Sequence, residues 1–279
     1  MKKTILITGA TDGIGKETAR KLAVEGNHII LHGRNENKVF QIKTEILSHF
    51  PQAEVDTITA DFSALANVKK MAETISKNYD KLDVLINNAG VYSTNKSFSQ
   101  DGFELNIAIN YLAVYVLTNN LFDLLIKSKP SRIINVSSIA HKRGRIDLNQ
   151  FTKQKAKGLD SYKAYADSKL MLIYYTYYLA DELLDYKVTV NALHPGVTTT
   201  KMLVEGFNMT GEDVAKGAET PVFLATSPNV QGITGKYFDK NIEVASSRLS
   251  YDQLIREEVM QWTEDVLKKG GWLSKKPLR

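Results

Sequence analysis

Short runs rich in β-branched residues alternate along this chain with longer stretches of helical period, and that alternation constrains the fold more than any other feature. A strand, a crossover helix and a second strand make a βαβ unit, and repeated units build a parallel sheet covered by helices. The runs predict strands at residues 4–8, 28–32, 54–59, 84–87, 132–136 and 188–193, with a shorter one near 236–239. Helices are expected to begin near Gly15, Glu36, Ser63, Asp101, Tyr162, Gly211 and Ser250, several of them behind Ser or Asp capping candidates. Gly26 reads as a helix stop.

No linker, internal repeat or shift in composition divides the 279 residues, so the expectation is one α/β domain over 1–279. It should be a doubly wound domain of the Rossmann type, with a mainly parallel sheet of about seven strands and helices on both faces. Residues 142–160 are polar and charged and read as a surface excursion, and a C-terminal helix is expected at about 250–268. No run approaches the 18 or so consecutive apolar residues of a membrane span, and the opening MKKTILITGA runs directly into a strand. A cytoplasmic chain is therefore expected. Cysteine is absent, which removes disulfides, thiolate nucleophiles and cysteine-ligated metals, and the five histidines lack metal-ligand spacing. The formal charge of +5 is compatible with an anionic ligand but is spread over the whole chain, so no nucleic-acid partner is expected.

The first chemical signal is Thr8-Gly9-Ala10-Thr11-Asp12-Gly13-Ile14-Gly15, between the first strand and a helix. Glycines there let the backbone turn tightly and approach a pyrophosphate, while the helix beyond offers free N–H groups and the positive end of its dipole. The spacing is G-x-x-x-G-x-G, which departs from the commoner G-x-G-x-x-G. A second signal lies at the end of strand two, in Leu31-His32-Gly33-Arg34-Asn35. A site for NAD usually carries Asp or Glu there to accept from the ribose 2′-hydroxyl, whereas arginine favours a 2′-phosphate. Arg34 stands 19 residues beyond Gly15 and the strand has no carboxylate, which favours NADP(H) over NAD(H).

The third signal is Tyr165-Ala166-Asp167-Ser168-Lys169, whose outer members share one helix face. Tyrosine titrates at about 10 and is a poor base at neutral pH. An ammonium about 4 Å away, at an effective dielectric near 20, would contribute roughly 4 kcal/mol, or about three pKa units. Alone such a pair carries little weight, since surface helices hold many by chance.

The pair is not alone. Asn87-Asn88-Ala89-Gly90 follows strand four, Asn110 lies in the next helix, Asn135-Val136-Ser137-Ser138 ends strand five, and Pro195-Gly196 follows strand six. In this order and at these positions, the motifs resemble those of the short-chain dehydrogenase/reductase superfamily over most of the chain. The 27-residue gap from Ser138 to Tyr165, the stretch His141-Lys142-Arg143-Gly144 and the strand Gly235-Lys236-Tyr237-Phe238 are similar to retinol dehydrogenase-like and WW-domain oxidoreductase-like members.

The resemblance implies an oxidoreductase that interconverts an alcohol and a carbonyl. Tyr165 would donate or accept the proton, Ser138 would hold the substrate oxygen, and Lys169 would support both Tyr165 and the nicotinamide ribose. Asn110 would anchor a water in the proton relay. Gly9, Thr11, Asp12, Gly13, Ile14 and Gly15 would cradle the cofactor phosphates, Arg34 and Asn35 the adenosine ribose, and Asp61 with Phe62 the adenine. Asn88, Ala89 and Gly90 would line the cofactor through backbone groups, and Pro195, Gly196, Val197 and Thr198 would flank the nicotinamide. Ser137 is the competing serine, but the family pattern turns the second of the pair toward substrate. Asp12 stands immediately before the second glycine, where the family often has a positively charged residue; Lys16 and Arg34 would supply positive charge nearby.

Residues 197–208, with Met202, Leu203, Val204 and Phe207, could form an apolar lid, and Tyr92 could line the same cleft. Tyr92 and Met202 join Ser138 and Tyr165 as expected substrate contacts, pointing to a small-to-medium apolar alcohol, aldehyde or ketone. A packing role for this segment fits the sequence equally. Two further classes stay open: a cofactor-binding scaffold without turnover, and a reductase of a carbon–carbon double bond. The complete Ser/Tyr/Lys set weighs against the scaffold. The absence of cysteine weighs against a protochlorophyllide reductase-like protein. Finally, Tyr174, Tyr175, Tyr177 and Tyr178 crowd one helix, which at about 100° per residue cannot aim every ring into its own core, so a homodimer is expected through this helix and the one bearing Asn110.

Overall fold

The computed structural model describes residues 2–95, 97–153 and 160–273. Its strands are β1 (Thr4–Ile7), β2 (His28–Gly33), β3 (Glu54–Thr59), β4 (Val84–Asn87), β5 (Ser131–Val136), β6 (Val188–His194), β7 (Lys236–Asp239) and β8 (Ile242–Val244). They form one eight-stranded sheet in the order β3-β2-β1-β4-β5-β6-β7-β8. Seven run parallel, and β8 turns back antiparallel on β7. β8 adds one strand to the expected seven; its three residues are all exposed, so no apolar alternation marks it in the sequence.

The helices are α1 (Gly13–Val24), α2 (Glu36–His49), α3 (Leu65–Asn78), α4 (Leu105–Ile107), α5 (Ala113–Asn120), α6 (Phe122–Lys127), α7 (Ser161–Glu182), α8 (Val214–Gly217), α9 (Glu219–Thr226) and α10 (Gln253–Lys269). A π-helical turn, Ala108–Leu112, joins α4 to α5. The two-residue period of the strands divides the core. Leu6, Leu85, Ile133 and Val190 face the layer of α3, α5 and α7, whereas Ile5, Ile7, Val84 and Ile86 face α1, α2 and α9.

Three sequence expectations shift. The helix placed near Ser63 starts at Leu65, and the one placed near Asp101 starts at Leu105, because the Asp101 carboxylate accepts the Leu65 N–H at 2.8 Å and so caps α3 from a distance. The helix placed near Gly211 begins at Val214 as a single turn and resumes at Glu219. Of the expected excursion, 154–159 lies outside the described residues, and the rest carries two short 3₁₀ turns, Ile139–Arg143 and Leu148–Gln150.

The argument for an exposed aromatic face on α7 also fails. This helix is buried on nearly every side, between the sheet and α10. Tyr174 donates to the Leu249 carbonyl at 2.8 Å, Tyr175 accepts from Asn119 at 2.9 Å, and Tyr177 shares a 2.7 Å hydrogen bond with Ser246. Tyr111, beside Asn110, reaches Thr263 of α10 at 2.7 Å. The chain's own C-terminal segment covers the aromatic surface that was expected to meet a second copy. Among the described residues, no helix is long and apolar enough to cross a membrane.

Candidate active site

The sheet order reverses between β1 and β4, and loops leaving their carboxyl ends part there to open a cleft, the usual ligand site of an open α/β sheet. Gly9 takes φ +65° and approaches so closely that an added Cβ would lie 2.8 Å from the Ala89 Cα. The two loops are stitched together: the Thr8 hydroxyl accepts from the N–H groups of Asn88 and Ala89 at 3.0 and 2.9 Å. The Asn88 amide in turn donates to the carbonyls of Thr8 and Gly9 at 2.8 and 3.1 Å. Asp12 caps α1, accepting from the Gly13 N–H at 2.7 Å.

The cleft encloses about 1040 Å³, and Gly9, Thr11, Asp12, Gly13, Ile14 and Gly15 line its floor. Arg34, Asn35, Asp61 and Phe62 line one end, Tyr165, Lys169 and Pro195 the other, with Asn88, Ala89 and Gly90 between. Arg34 is exposed and has no hydrogen-bond or ion-pair partner among the described residues, while Lys16 is paired with Glu45 at 2.8 Å. Asn35 is used as the cap of α2 and Asp61 accepts the Ser63 N–H. A glycine cradle at a helix N-terminus, an uncommitted guanidinium at one end and a Tyr/Lys pair at the other fit a phosphorylated dinucleotide.

His32 escaped the sequence reading. Its Nδ1 accepts from the Gly9 N–H at 3.3 Å and its Nε2–H donates to the Ala60 carbonyl at 3.0 Å, while the ring stacks on Phe62 at 4.4 Å. Burial lowers this imidazole to about 4, so it is neutral and ties the glycine loop to the end of β3.

At the other end, Tyr165 and Lys169 share a face of α7, with the Lys169 Nζ 5.8 Å from the tyrosine ring centroid and donating to the Val136 carbonyl at 3.0 Å. Burial lowers the ammonium to about 8. Burial raises Tyr165 to about 12, opposed by its hydrogen bond with the Ser138 hydroxyl. The expected lowering of Tyr165 by Lys169 does not emerge: burial of the phenolate is the largest influence, and the Ser138 hydroxyl is the group that opposes it. Ser137 is buried and donates to the Lys169 carbonyl at 3.0 Å, which leaves Ser138 as the serine beside Tyr165.

Asn110 sits in the π-helical turn, where one inserted residue turns its side chain toward the loop after β4. Its amide accepts from the Val91 N–H at 2.8 Å and donates to the Val91 carbonyl at 2.9 Å and to Ser168 at 3.0 Å. Both amide protons are thus committed to protein groups, and the visible task of Asn110 is to hold the loop beside Lys169.

Of the expected site residues, Asn110, Ser138, Gly196, Val197 and Thr198 do not line the cleft; Ser137, Thr200, Lys201 and Met202 do, and Ser138 reaches the site only through its hydrogen bond with Tyr165. Residues 197–199 run extended and bond to Glu212 through N–H and carbonyl groups at 2.8 and 2.9 Å, so side chains alternate and Thr198 is turned into the body. Beyond them a π-helical turn, Met202–Gly206, carries Phe207 over Tyr165. Phe207 stacks on Tyr92 with centroids 4.1 Å apart, and the two rings lie 5.8 and 5.4 Å from Tyr165. Together with Met202 and Tyr162 they close an apolar lid over the tyrosine.

The family model for the short chain dehydrogenases matches residues 3–210. Retinol dehydrogenase 13 of Mus musculus is 35% identical over 279 aligned residues, covering 95% of this chain and 83% of that protein. Polyprenol dehydrogenase of Homo sapiens is 30% identical, covering 92% and 82%. Among solved structures, a protein from Mycobacterium paratuberculosis superposes with a TM-score of 0.80 at 27% identity, covering 95% of this chain and 93% of its own. A short chain dehydrogenase from Shigella flexneri complexed with NADP gives 0.70 at 28% identity, covering 86% and 97%.

Proposed function

We propose a specific reaction for this chain, which belongs to the short-chain dehydrogenase family of NAD(P)-dependent oxidoreductases acting on CH–OH groups: it interconverts an apolar alcohol and its carbonyl with NADP(H). The observation that carries this reading is the meeting of Tyr165 and Lys169 at one end of a glycine-floored cleft whose other end holds Arg34, with the Ser138 hydroxyl hydrogen-bonded to Tyr165 just behind the cleft lining. The nicotinamide cofactor, when bound, supplies or accepts the hydride. Gly9 to Gly15 would hold its phosphates, Arg34 its 2′-phosphate, and Lys169 its ribose beside Gly90. The uncommitted state of Arg34 and the NADP in the Shigella flexneri relative support the preference for NADP(H).

The side chains divide the proton work. With Tyr165 at about 12 and Lys169 at about 8, the hydroxyl is protonated at neutral pH and the ammonium largely so. Tyr165 then donates a hydrogen bond, and finally its proton, to a substrate carbonyl oxygen, while Ser138 fixes the same oxygen from the other side. This protonation pattern suits carbonyl reduction. Tyr92, Met202 and Phe207 keep water from the tyrosine and present apolar surface to the substrate. The relatives named for retinol and polyprenol support a lipophilic alcohol or carbonyl.

A panel of apolar aldehydes and ketones, offered with NADPH and followed at the nicotinamide absorbance band, tests the proposal. Turnover is expected. Tight NADPH binding without turnover would mark a scaffold, and oxidation of NADPH by activated alkenes alone would mark a double-bond reductase.

A further inference from the structure

One peptide unit in the site is gripped at both ends by imidazole nitrogens. The carbonyl of Ser138 lies 2.6 Å from the Nδ1 of His141, and the N–H of Ile139, the other half of that peptide, donates to the Nδ1 of His194 at 3.3 Å. The Nε2 of His141 accepts from the Ser247 N–H at 2.9 Å. A carbonyl only accepts and a backbone N–H only donates, so the partners dictate the tautomers. His141 is neutral with its proton on Nδ1, and His194 is neutral with a lone pair on Nδ1. His141 is fully buried, with its ring 4.9 Å from that of Tyr237, and His194 ends β6 opposite Asp239 of β7. Neither histidine lines the cofactor cleft.

What the two rings hold is the peptide that follows Ser138. That residue is extended, at φ −159° and ψ 156°, and its hydroxyl accepts from the Ala140 N–H at 3.2 Å while meeting Tyr165. With the peptide plane fixed, a short side chain with one torsion has little freedom left. We propose that His141 and His194 are positioning residues for the reaction proposed above, acting through Ser138 by locking the Ser138–Ile139 peptide in one plane.

Both halves of the grip need neutral rings. A proton added to His194 would set an N–H against the Ile139 N–H, and one added to His141 would set an N–H against that of Ser247. The charged groups facing His194 are Asp239, which favours the proton, and Lys142 and Lys240, which oppose it; Lys142 and His194 face His141. Burial is the largest influence on both rings and favours the neutral form, so the grip holds at neutral pH.

The reasoning extends one step beyond the proposed function and rests on it, so two measurements are paired. Nitrogen-15 spectra of the histidine-labelled full chain at pH 7 should show neutral rings, His141 protonated on Nδ1 and His194 on Nε2; the reverse tautomer or a charged ring at either position overturns the grip whatever the activity. In steady-state assays with NADPH, His194→Phe should lower kcat by roughly ten- to a hundredfold, the scale expected when a reacting group is displaced by about 1 Å, and leave the Kd for NADPH within twofold. His194→Asn, which returns an acceptor near the Nδ1 position, should restore most of the loss. In a Ser138→Ala background the His194→Phe effect should largely vanish, because both changes act on one hydroxyl. An undiminished effect in that background would overturn the positioning role, and absence of wild-type turnover would sink the proposed function and the positioning role together.

Discussion

Replacing His32 with asparagine should flatten the acid limb of the stability curve. The ring is 3% exposed, gives its Nδ1 lone pair to the Gly9 N–H and its Nε2 proton to the Ala60 carbonyl, and burial lowers it from 6.5 to about 4. Below 6.5 the unfolded chain takes up a proton that the folded chain refuses until about 4. The stability tied to neutral His32 is therefore intact above about 6.5 and is lost as pH falls through that window. At about 1.4 kcal/mol per pKa unit the full loss is on the order of 3 kcal/mol, of which about 2 kcal/mol falls between pH 7 and 5. Against the roughly 5–15 kcal/mol that separates a folded domain from its unfolded chain, this is a large share. Carboxylates contribute to the absolute curve in both directions, since Glu17 and Asp56 are lowered while Glu104 and Asp167 are raised. The difference between wild type and His32→Asn cancels them. Urea unfolding followed by the fluorescence of Trp262 and Trp272 at pH 7, 6 and 5 should show the wild type losing about 2 kcal/mol more than the variant. Parallel pH slopes would refute a buried neutral His32.

Two further changes probe the ends of the cleft. Arg34→Ala should weaken NADPH by about 1.5 to 3 kcal/mol, the scale of a charge-assisted hydrogen bond, and leave NADH nearly unchanged; calorimetry showing equal wild-type affinity for the two would remove the arginine from cofactor choice. Phe207→Ala removes a stacked pair worth roughly 0.5–1.5 kcal/mol from the closed lid, so KM for bulky ketones should fall about two- to tenfold relative to small ones. An unchanged ratio of kcat/KM between the two classes would mean that the lid does not gate entry.

The sheet was legible because every parallel strand buried on both faces leaves a dense β-branched run, and the glycine loop because its turn tolerates few other residues. β8 left no such mark, being short, exposed and at the edge. The Tyr165, Lys169 and Ser138 set could be named from motif order, whereas its electrostatics could not: a spacing of four residues gives a shared helix face but not the burial that raises Tyr165 and lowers Lys169. His32, His141 and His194 were missed because each acts through backbone groups brought in by distant segments, with partners at Ala60, Ser247 and Ile139. The misjudged tyrosines of α7 have the same origin. Helical geometry gives the direction of each ring, but only the path of residues 246–269 reveals that α10 and the turn before it cover them.

The most direct test of the central claim is the paired measurement of NADPH affinity and single-turnover carbonyl reduction in wild type and Tyr165→Phe. The substitution keeps the ring that packs against Tyr92 and Phe207 and removes only the hydroxyl that meets Ser138. General acid catalysis of this kind contributes typically 10²–10⁴-fold, so the rate should fall by about that factor while the Kd for NADPH stays within twofold. A variant that reduces the same carbonyl at the wild-type rate would show that the proton comes from elsewhere, and the proposed mechanism would be wrong.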